Sequence, residues 1–191
     1  MFIDESLWLK RVLGDLKLGA QTRVLDIGSS SSHFRTVVQP HIDANVYAPL
    51  RAREVQVSHL DGKAEPGVDI VADVTTLDGV DLEFDVVICT NLLEHVVDLE
   101  ATLRNILRVV APSGTLILTV PRRYPIHHDP IDTGFRPTPE TLAKLVGWTE
   151  VIELHTLTVQ HPAHYRGMRW VRRFVLPWQL ACLVVKKPSS A

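Results

Sequence analysis

The sequence predicts an α/β protein with a doubly wound, mainly parallel seven-stranded sheet and a C-terminal antiparallel hairpin. Short apolar runs alternate with helical patterns along the chain, which is typical of a parallel sheet covered by helices on both faces. The first such run, Val24–Ile27, leads directly into the small-residue segment Gly28–Ser32 and then into a helical pattern. Two late strand patterns, Glu150–Val159 and Gln179–Val185, have no helix of normal length between them, which predicts the hairpin.

The first predicted element is a helix over Glu5–Leu18, in which apolar residues recur at helical spacing. Those residues are Leu7, Trp8, Val12, Leu13 and Leu16. We expect this helix to pack across the edge of the sheet. The run Val24–Ile27 is apolar apart from Asp26, so it predicts a strand covered on both faces. A helix over about Ser32–Val38 follows it.

The segment Gln39–Arg53 interrupts the alternation, because two prolines and an asparagine break both periodic patterns. It predicts a loop or a short helix inserted before the second strand. That strand is predicted over Val55–Leu60, and it ends at the turn residue Asp61. If Val46–Leu50 formed the strand instead, Arg51 would replace Asp61 at its carboxyl end.

Short apolar runs predict three more strands, and apolar residues at helical spacing predict two more helices. The strands are Val68–Val71, Phe84–Cys89 and Thr115–Val120, and the helices are Asp98–Val110 and Pro139–Val146. A polar, proline-rich connection over Pro121–Pro137 leads to the last of these helices.

Length and composition predict a single domain over residues 1–191. The 191 residues are 46% hydrophobic, which is enough for one well-filled core. No run approaches the ~20 apolar residues that cross a bilayer, and charged residues near the N-terminus interrupt any signal-peptide pattern. We therefore expect a soluble, cytoplasmic protein. Cys89 and Cys182 lie in apolar runs and are predicted to be buried and free.

The net charge of -2 conceals a basic C-terminal region, because no acidic residue follows Glu153. The segment Tyr165–Leu176 carries four arginines among aromatic and aliphatic residues. Two interpretations stay open for this segment. The arginines contact an anionic partner, either a phosphate-bearing substrate or the surface of an anionic membrane, or they belong to a solvated helix face.

Open α/β sheets bind ligands at the carboxyl ends of their strands, beside the first strand. This rule selects the loop Gly28–Ser32, Asp61 after the second strand, Asp73 after the third, and Thr90–His95 after the fourth. Asp61 is predicted to accept hydrogen bonds from two ribose hydroxyls, although an aspartate there also suits an Asp-Gly turn. Asp73 either accepts from the amine of an adenine or caps the following helix.

Four segments in order resemble the successive motifs of small class I S-adenosylmethionine-dependent methyltransferases. They are Val24–Gly28, Val71–Asp73, Phe84–Val96 and Arg108–Pro121. The resemblance covers about Thr22–Val146 and implies a Rossmann-like fold with S-adenosylmethionine as cofactor. The pattern Tyr124–Pro130 with Phe135–Pro137 is similar to a bacterial, type-11-like branch associated with modification of sugars, glycolipids or secondary metabolites.

Carried over position by position, the resemblance implies a set of cofactor-binding residues. Asp26, Gly28 and Ser30 would face the methionine part, Asp61 the ribose, Asp73 and Val74 the adenine, and Asn91 and Leu92 the sulfonium side. Serines at 30 and 32 depart from the glycine-rich loop of the family. Both side chains are small, so cofactor binding stays the expectation.

Transfer of a methyl group from a sulfonium removes its positive charge, so a water-poor pocket favours the reaction. An oxygen acceptor also needs a base that titrates near neutral pH, and histidine is the usual choice. His95, His127 and His128 are the candidate catalytic residues because they follow strand ends, although His95 also suits a packing role beside the cofactor. No metal site is predicted from His127, His128, Asp129 and Asp132, because adjacent histidines rarely point the same way.

The predicted reaction is methylation, on oxygen, of a small polar acceptor. Nucleic acid is disfavoured as a partner because the acidic body lacks a basic stripe. A nicotinamide-dependent oxidoreductase ranks low, because His33 stands where its fingerprint needs a third glycine. The alternative outside enzymes is a cofactor-binding scaffold that keeps the fold without turnover, which the serine-containing loop would fit. No oligomeric state follows from the sequence.

Overall fold

Seven strands form the sheet within the residues that the computed structural model describes, which are 1–127, 131–148, 150–165 and 169–189. The strands are β1 (Arg23–Ile27), β2 (Gln56–Asp61), β3 (Ile70–Val71), β4 (Phe84–Thr90), β5 (Val110–Arg123), β6 (Glu150–Thr158) and β7 (Gln179–Lys186). Their order is β3-β2-β1-β4-β5-β7-β6. Strands β1 to β5 are parallel, and β7 is antiparallel to β5 and β6. The predicted doubly wound sheet with its antiparallel hairpin is confirmed.

Helices cover both faces of the sheet. They are α1 (Ile3–Asp15), α2 (Pro40–Ile42), α3 (Ala48–Arg51), α4 (Leu99–Arg108), α5 (Pro139–Val146) and α6 (Arg169–Val175). Turns of π-helix cover Phe34–Val38 and Asp43–Tyr47, and turns of 3-10 helix cover Leu93–His95 and Pro162–His164. Among the described residues, no helix combines the length and the apolar character needed to span a bilayer.

The central strands are buried on both faces, because their side chains alternate between two apolar clusters. On β1, Leu25 and Ile27 point into the cluster under α4 and α5, whereas Val24 points into the cluster under α1. Cys89 and Cys182 are buried and free, as predicted. With both faces covered, the loops at the carboxyl edge of the sheet are left to bind a ligand.

Helix α1 lies over one face of the sheet and also reaches the edge strand β6, where Trp8 Nε1 donates to Glu153 Oε1 at 2.9 Å. The predicted contact with the sheet edge is therefore present, but the helix covers more of the face than was predicted. Trp8 and Leu9 are buried in the same cluster as Ile117 of the central strand β5. The helix spans Ile3–Asp15 where Glu5–Leu18 was expected. A helix with so many apolar residues removes more surface from water over the centre of the sheet than at its edge.

The segment Gln39–Arg53 is a run of helical turns that packs against α1. Val46, Tyr47 and Leu50 are buried there at helical spacing. The alternative strand over Val46–Leu50 is therefore wrong. Strand β2 follows the segment and ends at Asp61, where the main prediction placed its end.

Replacement of Leu9 by alanine should lower the free energy of unfolding by about 2–5 kcal/mol, because the Leu9 side chain is fully buried between α1 and the sheet. Leu7 lies on the same helix but is half exposed, so Leu7→Ala should cost about 0.5 kcal/mol or less. Denaturant unfolding of the two variants measures the difference. Equal losses would contradict the placement of α1 on the face of the sheet.

Candidate functional site

The loop after β1 is tied to the end of β2. The amides of Gly28 and Ser29 both donate to the carbonyl oxygen of Leu60, at 2.9 and 3.0 Å. Gly28 has a φ of 78°, a conformation that favours glycine. A Cβ atom at Gly28 would lie 3.2 Å from Cδ1 of Leu92. The positive φ therefore favours glycine here, and a larger residue would also have to displace the Leu92 side chain.

Ser30 also has a left-handed backbone, with a φ of 58°, and two charged side chains hold it there. Its amide donates to Asp61 Oδ2 at 2.9 Å, and its carbonyl accepts from the Arg35 guanidinium at 2.5 Å. The buried Arg35 also donates to the carbonyls of Ser29 and Gly67, at 3.1 and 2.7 Å. This role of Arg35 was not predicted, because helical spacing does not distinguish a buried arginine from a solvated one.

Three cavities open along the carboxyl edge of the sheet. The first, of about 460 Å³, lies between the loop after β1, the ends of β2 and β3, and the loop after β4. Predicted cofactor-binding residues that line it are Gly28, Asp61, Asp73, Val74 and Leu92. The structure thus brings together residues from four separate strand ends.

The two aspartates of the first cavity also shape turns. Asp61 Oδ1 accepts from the amide of Lys63 at 3.1 Å. Asp73 Oδ1 accepts from the amide and the hydroxyl of Thr75, at 2.8 and 2.7 Å. These two bonds lower the pKa of the Asp73 carboxyl. Asp73 therefore caps a turn, and not a helix as the alternative interpretation expected, and it lines the cavity as well.

The second cavity, of about 290 Å³, adjoins the first, because Gly28 lines both. Its lining includes the predicted residues Asp26, Ser30 and Asn91. Asp26 is almost fully buried and accepts a hydrogen bond from the hydroxyl of Tyr47. Burial, followed by the Asp26 charge, raises the pKa of Tyr47 well above its usual value. Tyr47 therefore stays protonated as the donor.

The third cavity, of about 400 Å³, lies on the side of the β5 loop and the N-terminus. Its lining includes Phe2, Asn91, Glu94, His95, Tyr124, His127, His164 and Trp178. His95 lines all three cavities. The three spaces therefore converge on this one side chain.

Two of the predicted histidines are brought into contact. The rings of His95 and His127 meet edge to face with centroids 4.9 Å apart. His95 Nδ1 donates to the carbonyl of Ile131 at 2.7 Å, which leaves Nε2 as the proton-accepting atom of the neutral ring. His127 Nδ1 lies 3.0 Å from the carboxylate of Asp132. His128 lies outside the described residues.

Asp132 fixes the loop that carries His127. Its carboxylate has no exposed surface and accepts two bonds from Arg136, at 3.1 and 2.6 Å. It also accepts from the amides of His127 and Gly134, at 3.1 and 2.9 Å. The Arg136 guanidinium holds the pKa of Asp132 well below its usual range. Asp132 thus positions a histidine, a role that its sequence position did not indicate.

Glu94 is a buried carboxyl beside the histidines, and sequence analysis missed it. It is 1% exposed, its Oε1 lies 3.7 Å from His95 Nε2, and its Oε2 has no hydrogen-bond partner among the described residues. Burial raises the pKa of Glu94 from its usual 4.5 to about 7. Glu94, His95 and His127 each place one potential ligand atom within 4.8 Å of the others. A carboxylate and two imidazoles are groups that can bind a metal ion. Of the four residues that the sequence suggested as possible metal ligands, only His127 is in this cluster.

Asn91 borders the second and third cavities and is held by a buried carboxylate of α1. Asn91 Nδ2 donates to both oxygens of Glu5, at 2.8 and 2.9 Å. Glu5 also accepts from the Thr119 hydroxyl at 2.5 Å and from the Phe2 amide at 3.0 Å. Oδ1 of Asn91 is buried without a partner in the described part of the chain. This role of Glu5 was not predicted, because Asn91 and Thr119 lie 86 and 114 residues away from it.

A family model described as "Methyltransferase domain" matches residues 6–180. It therefore spans most of α1, the loop after β1 and every residue that lines the first cavity. No curated protein matches the sequence.

Solved structures with the same fold share little sequence with this chain. The [4+2]-cyclase SpnF is 17% identical, with 97% of this chain and 81% of that chain covered and a TM-score of 0.64. Burkholderia thailandensis 1,6-didemethyltoxoflavin-N1-methyltransferase, with bound 1,6-didemethyltoxoflavin and S-adenosylhomocysteine, is 16% identical. That match covers 96% of this chain and 76% of that chain, with a TM-score of 0.61. The N-methyltransferase NodS from Bradyrhizobium japonicum WM9, in complex with S-adenosylhomocysteine, is 13% identical. That match covers 97% of this chain and 85% of that chain, with a TM-score of 0.57.

Glu94→Gln should change how stability depends on pH. The folded protein holds a proton on Glu94 up to about pH 7, whereas the unfolded chain releases it near pH 4.5. The stability that this proton contributes is complete below pH 4.5 and is lost as the pH rises through 7. Over that interval the free energy of unfolding of the wild type should fall by up to about 3 kcal/mol relative to Glu94→Gln.

Urea unfolding at a series of pH values measures this difference. Glu100→Gln is the matched control, because the Glu100 side chain is 89% exposed and its removal should leave the profile of the wild type unchanged. Parallel profiles for wild type and Glu94→Gln would show that Glu94 is not held neutral by burial.

Proposed function

The chain belongs to the methyltransferase domain family, and on that premise we propose that it transfers the methyl group of S-adenosylmethionine to a small polar acceptor. The proposed acceptor class is a sugar, glycolipid or secondary metabolite, and oxygen is the proposed methylated atom. The observation that carries the proposal is the convergence of three cavities on His95. Two of them suit the two halves of the cofactor, and the third suits the acceptor.

The first cavity suits the adenosine half of the cofactor. Asp61 stands at the end of β2 with its carboxylate on the cavity wall, so it would accept from the ribose hydroxyls. Val74 and Leu92 supply apolar surface for the adenine ring, and Asp73 supplies an acceptor for its amine.

The second cavity suits the methionine half. Asp26 and the unpartnered Oδ1 of Asn91 give it a negative character that matches the ammonium and the sulfonium. Gly28 and Ser30 let the backbone of the loop approach the ligand closely. Asn91 and Leu92 would lie on the sulfonium side, Asn91 where the second cavity meets the third and Leu92 on the wall of the first.

The cofactor supplies an activated methyl group whose positive charge disappears on in-line transfer. The protein aligns the acceptor with that methyl, and alignment of this kind can account for ~7–11 kcal/mol of the barrier. His95 or His127 would take the proton of an acceptor hydroxyl, since both line the third cavity. His128 remains a third candidate on the same loop. Asp132 would keep the His127 ring in place.

The choice of oxygen rests on the two histidines, because a hydroxyl must lose its proton on methylation and needs a base. The comparisons do not decide between oxygen and nitrogen, since NodS is an N-methyltransferase. A scaffold without turnover would bind the cofactor but release no S-adenosylhomocysteine with any acceptor. Family membership favours methyl transfer over nicotinamide-dependent oxidation.

Asp61→Ala should weaken S-adenosylmethionine binding by roughly 10- to 100-fold in calorimetry, because two ribose hydroxyls lose a charged acceptor. The variant also frees the amide of Ser30, so the ribose contact needs its own test. A 2′,3′-dideoxy analogue of S-adenosylhomocysteine should lose much less affinity in Asp61→Ala than S-adenosylmethionine does, because it lacks the hydroxyls.

Asp81→Ala is the control for Asp61→Ala, since Asp81 is exposed and lies outside the three cavities. Unchanged affinity in Asp61→Ala would overturn the ribose contact. An equal loss for S-adenosylmethionine and the dideoxy analogue would mean that Asp61 acts only through the loop.

The double variant His127→Ala, His128→Ala and the single variant His95→Gln should locate the base. S-adenosylhomocysteine release is measured with a panel of sugars, phenols and amines, and the rate of the wild type should rise through a pKa near that of histidine. Loss of the base should lower turnover by about 10²- to 10⁴-fold with cofactor affinity retained. His33→Gln is the control, because His33 is exposed and outside the cavities. Turnover at the wild-type level in all these variants would overturn the base role.

A further inference from the structure

Helix α6 presents apolar side chains to solvent. Trp170, Val171, Phe174 and Val175 are between 53% and 76% exposed, and Leu176 directly after the helix is 45% exposed. The apolar side of a helix normally packs on the body of the protein. A contiguous exposed patch of this kind marks an interaction surface.

The same helix carries positive charge that has no acidic partner in the described residues. Arg172 and Arg173 are half-buried, and neither forms a salt bridge there. The guanidinium of Arg173 lies 5.3 Å from the centre of the Phe174 ring, which in turn contacts Trp170 edge to face. Since no acid follows Glu153 in the sequence, the helix forms a cationic and apolar surface.

The segment that carries this surface begins and ends at the wall of the third cavity. The chain leaves the wall of that cavity at His164 and returns to it at Trp178, with α6 between them. Tyr165 stacks on Trp178 with ring centroids 4.7 Å apart, and its hydroxyl accepts from the Trp178 amide at 2.8 Å and donates to the Val159 carbonyl at 2.9 Å. The flanks of α6 are therefore anchored to the proposed acceptor site.

We propose that α6 docks the protein on an anionic membrane surface. The aromatic and aliphatic side chains enter the interface between water and lipid, and the arginines contact lipid phosphates. The third cavity then lies beside the membrane, so its acceptor is the polar head of a membrane-resident molecule. This last step rests on the proposed function, whereas the docking itself does not.

The charge of the helix favours a lipid surface over a second copy of the chain. A twofold contact would bring the same patch of both copies together, so Arg172 and Arg173 would face the arginines of the other copy without an acid between them. An anionic membrane instead offers many phosphates to the same side chains. Each arginine near such a surface strengthens binding roughly fivefold, so the attachment is reversible and sensitive to salt.

The test is sedimentation of the full chain with vesicles of phosphatidylcholine alone or of phosphatidylcholine with phosphatidylglycerol. Binding should need phosphatidylglycerol and should fall steeply between about 0.05 and 0.5 M salt, because ions screen exposed charges. Trp170→Ser with Phe174→Ser, and separately Arg172→Gln with Arg173→Gln, should each lower binding by roughly tenfold or more.

Two double variants are matched controls. Val37→Ser with Leu82→Ser removes exposed apolar side chains elsewhere, and Lys10→Gln with Lys17→Gln removes the same number of positive charges, from exposed positions on another part of the surface. Both should bind vesicles like the wild type. Absence of binding to anionic vesicles, equal loss in the controls, or a dimer that the α6 variants abolish would overturn the proposal.

Calorimetry with S-adenosylmethionine on the same proteins keeps the two proposals separate. Wild type and the α6 variants should bind the cofactor equally. Vesicle binding without cofactor binding would contradict the proposed function but not the docking surface. Cofactor binding without vesicle binding would contradict the docking surface alone.

Discussion

The buried carboxylate of Glu5 is the interaction on which the geometry of the site depends. It joins α1 to Thr119 on β5 and to Asn91 after β4, so elements distant in sequence meet at one point. A buried charge is costly unless hydrogen bonds occupy its oxygens, and here Asn91, Thr119 and the Phe2 amide occupy both. Because Asn91 borders the second and third cavities, this contact sets their relative position.

A similar constraint explains how the loop after β1 tolerates serine in place of glycine. A left-handed backbone costs a residue with a side chain about 1 kcal/mol or more, and it persists only where the surroundings enforce it. Asp61 accepts from the amide of Ser30, and Arg35 donates to its carbonyl. The two charged side chains thus stabilise a backbone conformation that glycine adopts more easily. Asp61 also lines the first cavity.

The parts of the structure that follow from local pattern were predictable. The apolar runs gave β1 and β4 to within about a residue, and the position of Asp61 at the end of β2 followed from the same spacing. The position of α1 over the sheet was not predictable, because one amphipathic stripe fits an edge and a face equally well. Glu5, Arg35 and Glu94 were missed for a related reason. Each is a charged residue that is buried by segments distant in the sequence. Sequence patterns assign such residues to the surface.

Around the third cavity the Asp132 charge is paired with Arg136 and Glu94 is held neutral by burial, and both carboxyls lie near the proposed base. Arg136 neutralises Asp132, and burial favours the neutral form of Glu94 up to about pH 7. His95 Nδ1 donates to the carbonyl of Ile131, so in the neutral ring Nε2 is the atom with a lone pair for the proton of the acceptor. The arginines of α6 lie outside the lining of the cavity, so contact with an anionic surface and proton transfer from the acceptor use separate sets of charges.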